Sequence, residues 1–177
     1  LDLLLAKVKE REAEGYAYEA ADASFELLAR RELGEVPRYF AVESFRVMVE
    51  RRFNAIGDLV TVSEAVVKVD IDGETRMSVA EGNGPVNALD QALRQAIGQA
   101  YPEVAKLELI DYKVRILDQG HGTDAITRVL IETSDGSSSW WTVGVGHNVV
   151  EASWEALVDS FEYKLAKNAG KSVQAAR

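Results

Sequence analysis

A shift of 64 residues lays one part of this chain over another. It places Gly82 on Gly146, Val86 on Val150, Ala88 on Ala152, Ala92 on Ala156 and Leu93 on Leu157. Both stretches close an alternating run with a glycine-containing turn, then open a helix with apolar residues three and four apart. A chain built twice from one supersecondary unit buries its apolar faces by packing unit on unit or copy on copy. Its function is then expected to lie between copies rather than in one catalytic cleft.

In the first copy Phe45, Val47 and Val49 alternate with Ser44, Arg46 and Glu50, as in a half-buried strand. "FNAIGDL" (53–59) reads as a loop, and Val67, Val69 and Ile71 as the next strand face. Asp72-Gly73 then marks a tight hairpin, whose two central residues need positive φ. Met77 and Val79 continue the sheet beyond it. Pro85 follows "EGNG" at the first helical position, where a missing N–H costs nothing. Val86, Leu89, Leu93 and Ile97 share that helix's inward face.

The second copy repeats the order. Tyr112, Val114 and Ile116 form a strand face, "DQGHGTD" (118–124) a loop, and Thr127, Val129 and Ile131 the next strand. Asp135-Gly136 stands 63 residues after Asp72-Gly73, which puts a one-residue change of offset in the hairpin, where insertions are tolerated. Trp141, Val143 and Val145 form the third strand. Asn148 is an N-cap with Glu151 three residues on, and Val150, Trp154, Leu157, Phe161 and Leu165 point inward. Trp140 and Trp141 are neighbours, so one is expected in the core and the other at an interface.

The expected fold class is α+β, two tandem βββα units. Unit one covers about 38–103 and unit two about 104–168 of a domain at 35–168, with a tail at 169–177. A helical arm (1–34) precedes it. Leu1, Leu4, Leu5 and Val8 fall at helical spacing, Gly15 interrupts, and Tyr18, Ala21, Phe25 and Leu28 are predicted as the buried face of a second helix over 17–31. Gly34 and Pro37 end the arm. The pattern fits either a hairpin packed on its own domain or an arm docked on something outside the chain.

The net charge of −9 argues against nucleic acid, which needs clustered Lys and Arg to meet phosphate. No apolar run approaches the ~20 residues of a membrane span. The leucines at the start alternate with charge, unlike a secretory signal. No Met opens the chain, so a piece of a longer protein is expected, and the absence of cysteine fits a cytoplasmic one. Cysteine is absent, which removes disulfides, thiolate catalysis and Cys-ligated metal. The histidines, His121 and His147, lack metal-ligand spacing and read as loop and turn residues. Ser137–Ser139 is a polar hairpin run, and the acids read mostly as solvated charges. The remaining candidate is "GNGP" (82–85). Its glycines let backbone approach a ligand, and the helix behind aims its positive end at the same spot, which suits a carboxylate. A strand–helix turn with glycine for conformational reasons explains the same residues.

Three ordered stretches carry a resemblance. "EGNGPVNALDQALR" (81–94), "LIDYKVRILDQGHGTDAITRVLIETSDG" (109–136) and "WWTVGVGHNVVEASWEALVDSFEYKL" (140–165) resemble the C-terminal regulatory domain of the 2-isopropylmalate synthase and citramalate synthase family, closer to its citramalate branch. "EGYAYEAADASFELLARR" (14–31) looks like the helical linker before that domain. The resemblance implies a homodimer of paired βββα units that binds an end-product amino acid near the dimer interface and inhibits a distant catalytic barrel. The effector is isoleucine in the citramalate branch and leucine in the isopropylmalate branch. The barrel holds the divalent metal, and its motifs are absent here. The resemblance therefore implies no catalytic residue, metal or cofactor in this stretch. Carried over by motif, the effector contacts are Gly82, Asn83, Gly84, Val86 and Asn87, with Tyr112 and Ile116 across from them. Glu81 or Asp111 would meet the ammonium. Gly146-His147-Asn148 is the equivalent turn, part of the same pocket or a second one. The arm is expected to transmit the signal, and its deletion to leave effector binding intact.

Overall fold

The computed structural model describes residues 2–117 and 125–175, with side chains as far as 170. The expected loop at 118–124, with His121, lies outside the described residues. Helices α1 (Asp2–Glu14) and α2 (Asp22–Glu32) form the arm. Gly15 parts them at φ +113, followed by a 3₁₀ turn at Tyr18–Ala20. Two antiparallel three-stranded sheets follow, β1-β2-β3 and β4-β5-β6. The first contains β1 (Ala41–Phe53), β2 (Leu59–Ile71) and β3 (Glu74–Gly82), and α3 (Pro85–Ile97) follows it. The second contains β4 (Glu108–Ile116), β5 (Thr127–Ser134) and β6 (Ser139–Gly146), and α4 (Val149–Ala175) follows it. The chain divides into two compact units, residues 39–105 and residues 1–38 with 106–177.

In the first unit the odd residues of β2 from Ser63 to Ile71 are buried, and α3 answers with Leu89, Leu93 and Ile97. Period 2 on the strand and 3.6 on the helix bring these sets together. Pro85 opens α3 as expected. Asp72 (φ +54) and Gly73 (φ +83) make the two-residue turn that the sequence called for. Asn54 closes the other hairpin, its Oδ1 accepting the N–H groups of Ile56 and Asp58.

The second unit repeats this with α4 over β5 and β6. Val129, Ile131, Trp140, Leu157 and Phe161 are buried together with Thr142, whose hydroxyl donates to the Ala156 carbonyl at 2.7 Å. The copies agree down to register. Each first strand has an irregularity at the equivalent place, Val42/Ser44 and Leu109/Asp111. Ser63 pairs with Gly82 where Thr127 pairs with Gly146.

That register corrects one detail. The offset stays at 64 through the second hairpin, so the two Asp-Gly pairs are not equivalent: Gly136 stands where Asp72 does. Asp135 precedes the turn, and its carboxylate accepts the N–H groups of Ser137 and Ser138 and an ion pair from Lys164 at 2.6 Å. Burial works against its charge, but Lys164 and the serine donors outweigh burial and hold the carboxyl well below the usual range. The length change lies in the other hairpin. Val49 pairs with Ser63, whereas Ile116 pairs with Thr127, a closure three residues shorter.

The arm packs on its own second unit. Strand β6 is a sheet edge, and its outward N–H groups would otherwise form a template for another strand. Trp141 N–H donates to Asp22 Oδ1 (3.1 Å), Val143 N–H to Ser24 Oγ (3.0 Å) and Val145 N–H to Glu155 Oε2 (3.0 Å). This docking bears out Ala21, which is fully buried, leaves Tyr18 and Leu28 half-buried, and corrects the rest of the expected helix face. The second helix starts at Asp22, turns Ala23, Ser24 and Leu27 inward, and leaves Phe25 41% exposed. Small side chains let the helix approach close enough for Ser24 to reach the strand. Trp140 is the core tryptophan. Trp141 faces the other way, beside Glu19 and Asp22 of the arm, with Lys113 4.4 Å over its ring.

Tyrosines tie the arm to α4. Tyr16 donates to Glu155 at 2.6 Å and Tyr163 donates to Glu26 at 3.0 Å. Burial pushes the phenols of Tyr16, Tyr18 and Tyr163 up, Tyr18 and Tyr163 to about 12. A phenol raised in the fold stabilises it fully below the unfolded value of about 10, and that stability is lost as pH rises through the folded value. The arm is expected to loosen between about pH 10 and 12, in step with tyrosinate absorbance. Amide exchange at Val143 that stays slow to the top of this range would contradict it.

Candidate functional site

The turn from β3 into α3 has two different glycines. A Cβ on Gly82 would lie 2.5 Å from Ala88 N and 2.6 Å from Asn87 Oδ1, so Gly82 lets the strand close on the helix. Gly84 is extended (φ −168), a conformation open to any residue, and a Cβ there would meet nothing within 4 Å. The open space is therefore over the helix start. Asn87 Oδ1 accepts the Asn83 N–H at 3.1 Å, which folds the turn back on itself. No side chain caps α3. Val86 is half-buried, whereas Asn83 and Asn87 are exposed. The uncapped N–H groups and the helix dipole together favour an anion.

Tyr112 and Ile116 stand in the other unit. Their strand faces the α4 side, but α4 lies over β5 and β6 and leaves Tyr112, Val114, Ile116 and the nearby Val149 exposed as an apolar strip. The Tyr112 hydroxyl is 2.6 Å from Ser153 Oγ, which anchors the ring to α4. Ile116, Thr127 and Gly146 form one row across the sheet. The fold thus places Tyr112 and Ile116 in the same unit as the turn Gly146-His147-Asn148, and Gly82–Asn87 in the first unit. Of the two acids considered for an ammonium, Asp111 is engaged by the Tyr112 N–H (2.8 Å) and Lys113 (3.3 Å), and Glu81 is exposed at the end of β3.

The second turn differs from the first in its cap. Asn148 Oδ1 accepts the Glu151 N–H at 2.9 Å, the N-cap the sequence announced, whereas the Glu151 carboxylate meets the Asn148 side-chain amide (3.5 Å) and not its backbone N–H as a full capping box would. Beside it lies a cavity of about 320 Å³. Tyr16, Ile126 and Val145 form its apolar wall, with Gly146 and His147 at the turn and the carboxylates of Glu14 and Glu151 at the rim. Sequence reasoning missed Glu14, Tyr16 and Ile126. No spacing links them to residue 146; the arm and the residue just before β5 bring them there.

A second network lies outside the sequence reading, in which these acids are solvated charges. Glu155, Asp159 and Glu162 lie along α4 toward the arm. Arg31 pairs with Asp159 at 3.3 Å and with Glu162, Ser24 donates to Asp159 at 2.8 Å, and Arg11 reaches Glu155 at 3.2 Å. Burial pushes the Asp159 carboxyl up, against the pull of Arg31 and Ser24. Spaced i, i+4 and i+7, these acids share one helix face, which is the signal that could have found them. Among the described residues, no three His, Cys, Asp or Glu are grouped to hold a metal ion, and no helix is long and apolar enough to cross a membrane.

The family model for the LeuA allosteric (dimerisation) domain matches residues 19–165. An (R)-citramalate synthase of Streptomyces coelicolor is 55% identical over 93% of this chain and 30% of its own length. One from Aquifex aeolicus is 49% identical over 95% of this chain and 31% of its own. A 2-isopropylmalate synthase of Shewanella woodyi is 37% identical over 53% of this chain and 16% of its own. The chain spans about a third of the length of the citramalate synthases it matches. The paired βββα units, the arm and these likenesses agree, and the chain belongs to the LeuA allosteric (dimerisation) domain family.

Proposed function

We propose that this chain is the regulatory part of a citramalate synthase, an acyltransferase joining acetyl-CoA to pyruvate. In this reading it forms a homodimer, binds isoleucine and inhibits the catalytic barrel by feedback. The likeness to citramalate synthases along nearly the whole chain supports that branch over leucine-regulated isopropylmalate synthesis. The exposed strip of Tyr112, Val114, Ile116 and Val149 supports pairing with a second copy, since apolar area of this kind on a folded surface favours a partner.

The observation that carries effector binding is the chemistry of the two turns. At the second, apolar walls sit beside two carboxylates, a match for a branched side chain and an ammonium. At the first, the uncapped start of α3 over Gly82, Asn83, Gly84, Val86 and Asn87 suits a carboxylate. Isothermal titration with L-isoleucine, against L-leucine and L-valine, tests the reading. Saturable binding with isoleucine preferred is expected. Glu151→Gln with Tyr112→Ala probes the second unit, and Asn87→Ala with Gly84→Val the first. Leucine preference would move the chain to the isopropylmalate branch. A confirmed dimer that binds none of the three would leave a structural dimerisation module without an effector.

In this reading the arm transmits the signal, and point changes test it better than deletion. The arm caps β6 and buries Ala21, Ala23 and Leu27, so deleting it would damage the second unit instead of leaving binding intact. Point changes in the Arg31 network are the cleaner probe.

A further inference from the structure

The first unit has an open groove where the second unit has a helix. The groove measures about 390 Å³ and lies between the outer edge of β3 and α3, lined by Glu74, Arg76, Met77, Gln95, Ala96 and Gln99. The 64-residue offset carries these residues onto Ser138, Trp140, Trp141, Asp159, Ser160 and Tyr163. That is the seat of α2, where Trp141 N–H meets Asp22, Asp159 accepts from Ser24 and Arg31, and Tyr163 donates to Glu26. The covering shows in exposure. Val143 is 1% exposed under the arm, whereas its equivalent Val79 is 50% exposed and Met77, the equivalent of Trp141, 68%. The register is the same, so the outward N–H groups of Trp141 and Val143 have their counterparts at Met77 and Val79.

The two seats differ in charge. Glu155, Asp159 and Glu162 on α4 correspond to Gln91 and Gln95 on α3 and to Gly98 at its end, so the carboxylates that hold Arg11 of α1 and Arg31 of α2 are gone. In their place Arg76 stands at the groove. Its Nη2 is 3.3 Å from Glu74, and its Nη1 is buried with no hydrogen-bond partner among the described residues. A buried guanidinium nitrogen without an acceptor favours a ligand that brings one.

We propose that this groove receives an acidic amphipathic helix from a partner protein, seated as α2 is seated on β6. Its first turn would carry Asp or Ser oxygens two residues apart, to accept from Met77 and Val79. A small residue would lie on Ala96, and a carboxylate would meet Arg76 where α2 carries Arg31. This docking is independent of effector binding, because it uses neither turn.

The probe is a lactam-bridged helical peptide of residues 19–33 with Arg30→Glu and Arg31→Glu, titrated into the isotope-labelled full chain. Saturable amide shifts are expected at Met77, Val79, Gln95 and Gln99. The unaltered peptide should bind more weakly, Arg76→Ala should weaken binding about fivefold, and Ala96→Arg should abolish it. Three results would overturn the proposal. The first is no shift up to about 1 mM peptide. The second is shifts confined to Trp141, Val143 and Asp159, which means that the probe only displaces α2. The third is dissociation of the chain's own dimer by Ala96→Arg, which means that a second copy already fills the groove.

Discussion

Gly144→Ala is expected to break the second unit. Gly144 sits mid-strand on β6 and faces α4. A Cβ there would collide with the Ala152 carbonyl oxygen and lie 2.8 Å from Ala156 N and 2.9 Å from the Ala152 carbonyl carbon. All three are helix backbone, so no rotamer change relieves the clash. The strand or the helix must move, and α4 is held by Trp154, Leu157 and Phe161, all buried. Overpacking usually costs about 1–3 kcal/mol, and a clash with helix backbone belongs at the upper end, about 3 kcal/mol. A fall of roughly 10 °C or more in the melting temperature of this unit should follow. The equivalent position in the first unit is Ala80, already an alanine, and Ala80→Gly should cost only about 1 kcal/mol. Thermal unfolding followed by circular dichroism checks both, and a change under about 2 °C for Gly144→Ala would show that α4 is not seated as described.

Arg31→Met is expected to loosen the arm. It removes the cation that Asp159 and Glu162 share, leaving both acids enclosed and Asp159 with the Ser24 hydroxyl. Stranding buried charge costs more than the pair contributed, about 2–4 kcal/mol with the partial exposure of Arg31 taken into account. The sign with pH follows from Asp159, whose carboxyl burial already raises and Arg31 pulls down. Without Arg31 it rises further, so the folded variant takes up a proton more readily than the unfolded chain. Its defect should shrink as pH falls toward the ordinary carboxylate range near 4. Adding Asp159→Asn and Glu162→Gln should recover most of the loss at neutral pH. Limited proteolysis near Gly34, run across this pH range, reads the effect. A defect equal at pH 5 and pH 8 would place its cause outside the carboxylates.

Much of the fold was legible because it rests on local periodicity. Val67, Val69 and Ile71 on one face, Asp72-Gly73 at positive φ, Pro85 at a helix start and the Asn148 N-cap are each set by a few neighbouring residues. The turns of the candidate site were legible for the same reason. Tyr16 and Glu14 beside Gly146 were not, since more than a hundred residues separate them along the chain. Nor were the buried acids, because an acid on a helix looks solvated until something covers it.

The sequence by itself determined a chain made twice of βββα, since an internal repeat with matching periods allows few other foldings. Only the tertiary structure decided what the arm does. Its pattern suited several faces, and the choice fell on Ala23, Ser24 and Leu27 because β6 presents N–H groups along an edge that Asp22 and Ser24 can satisfy. The tertiary structure also made the two copies unequal, closing one helix seat with α2 and leaving the other open beside Arg76.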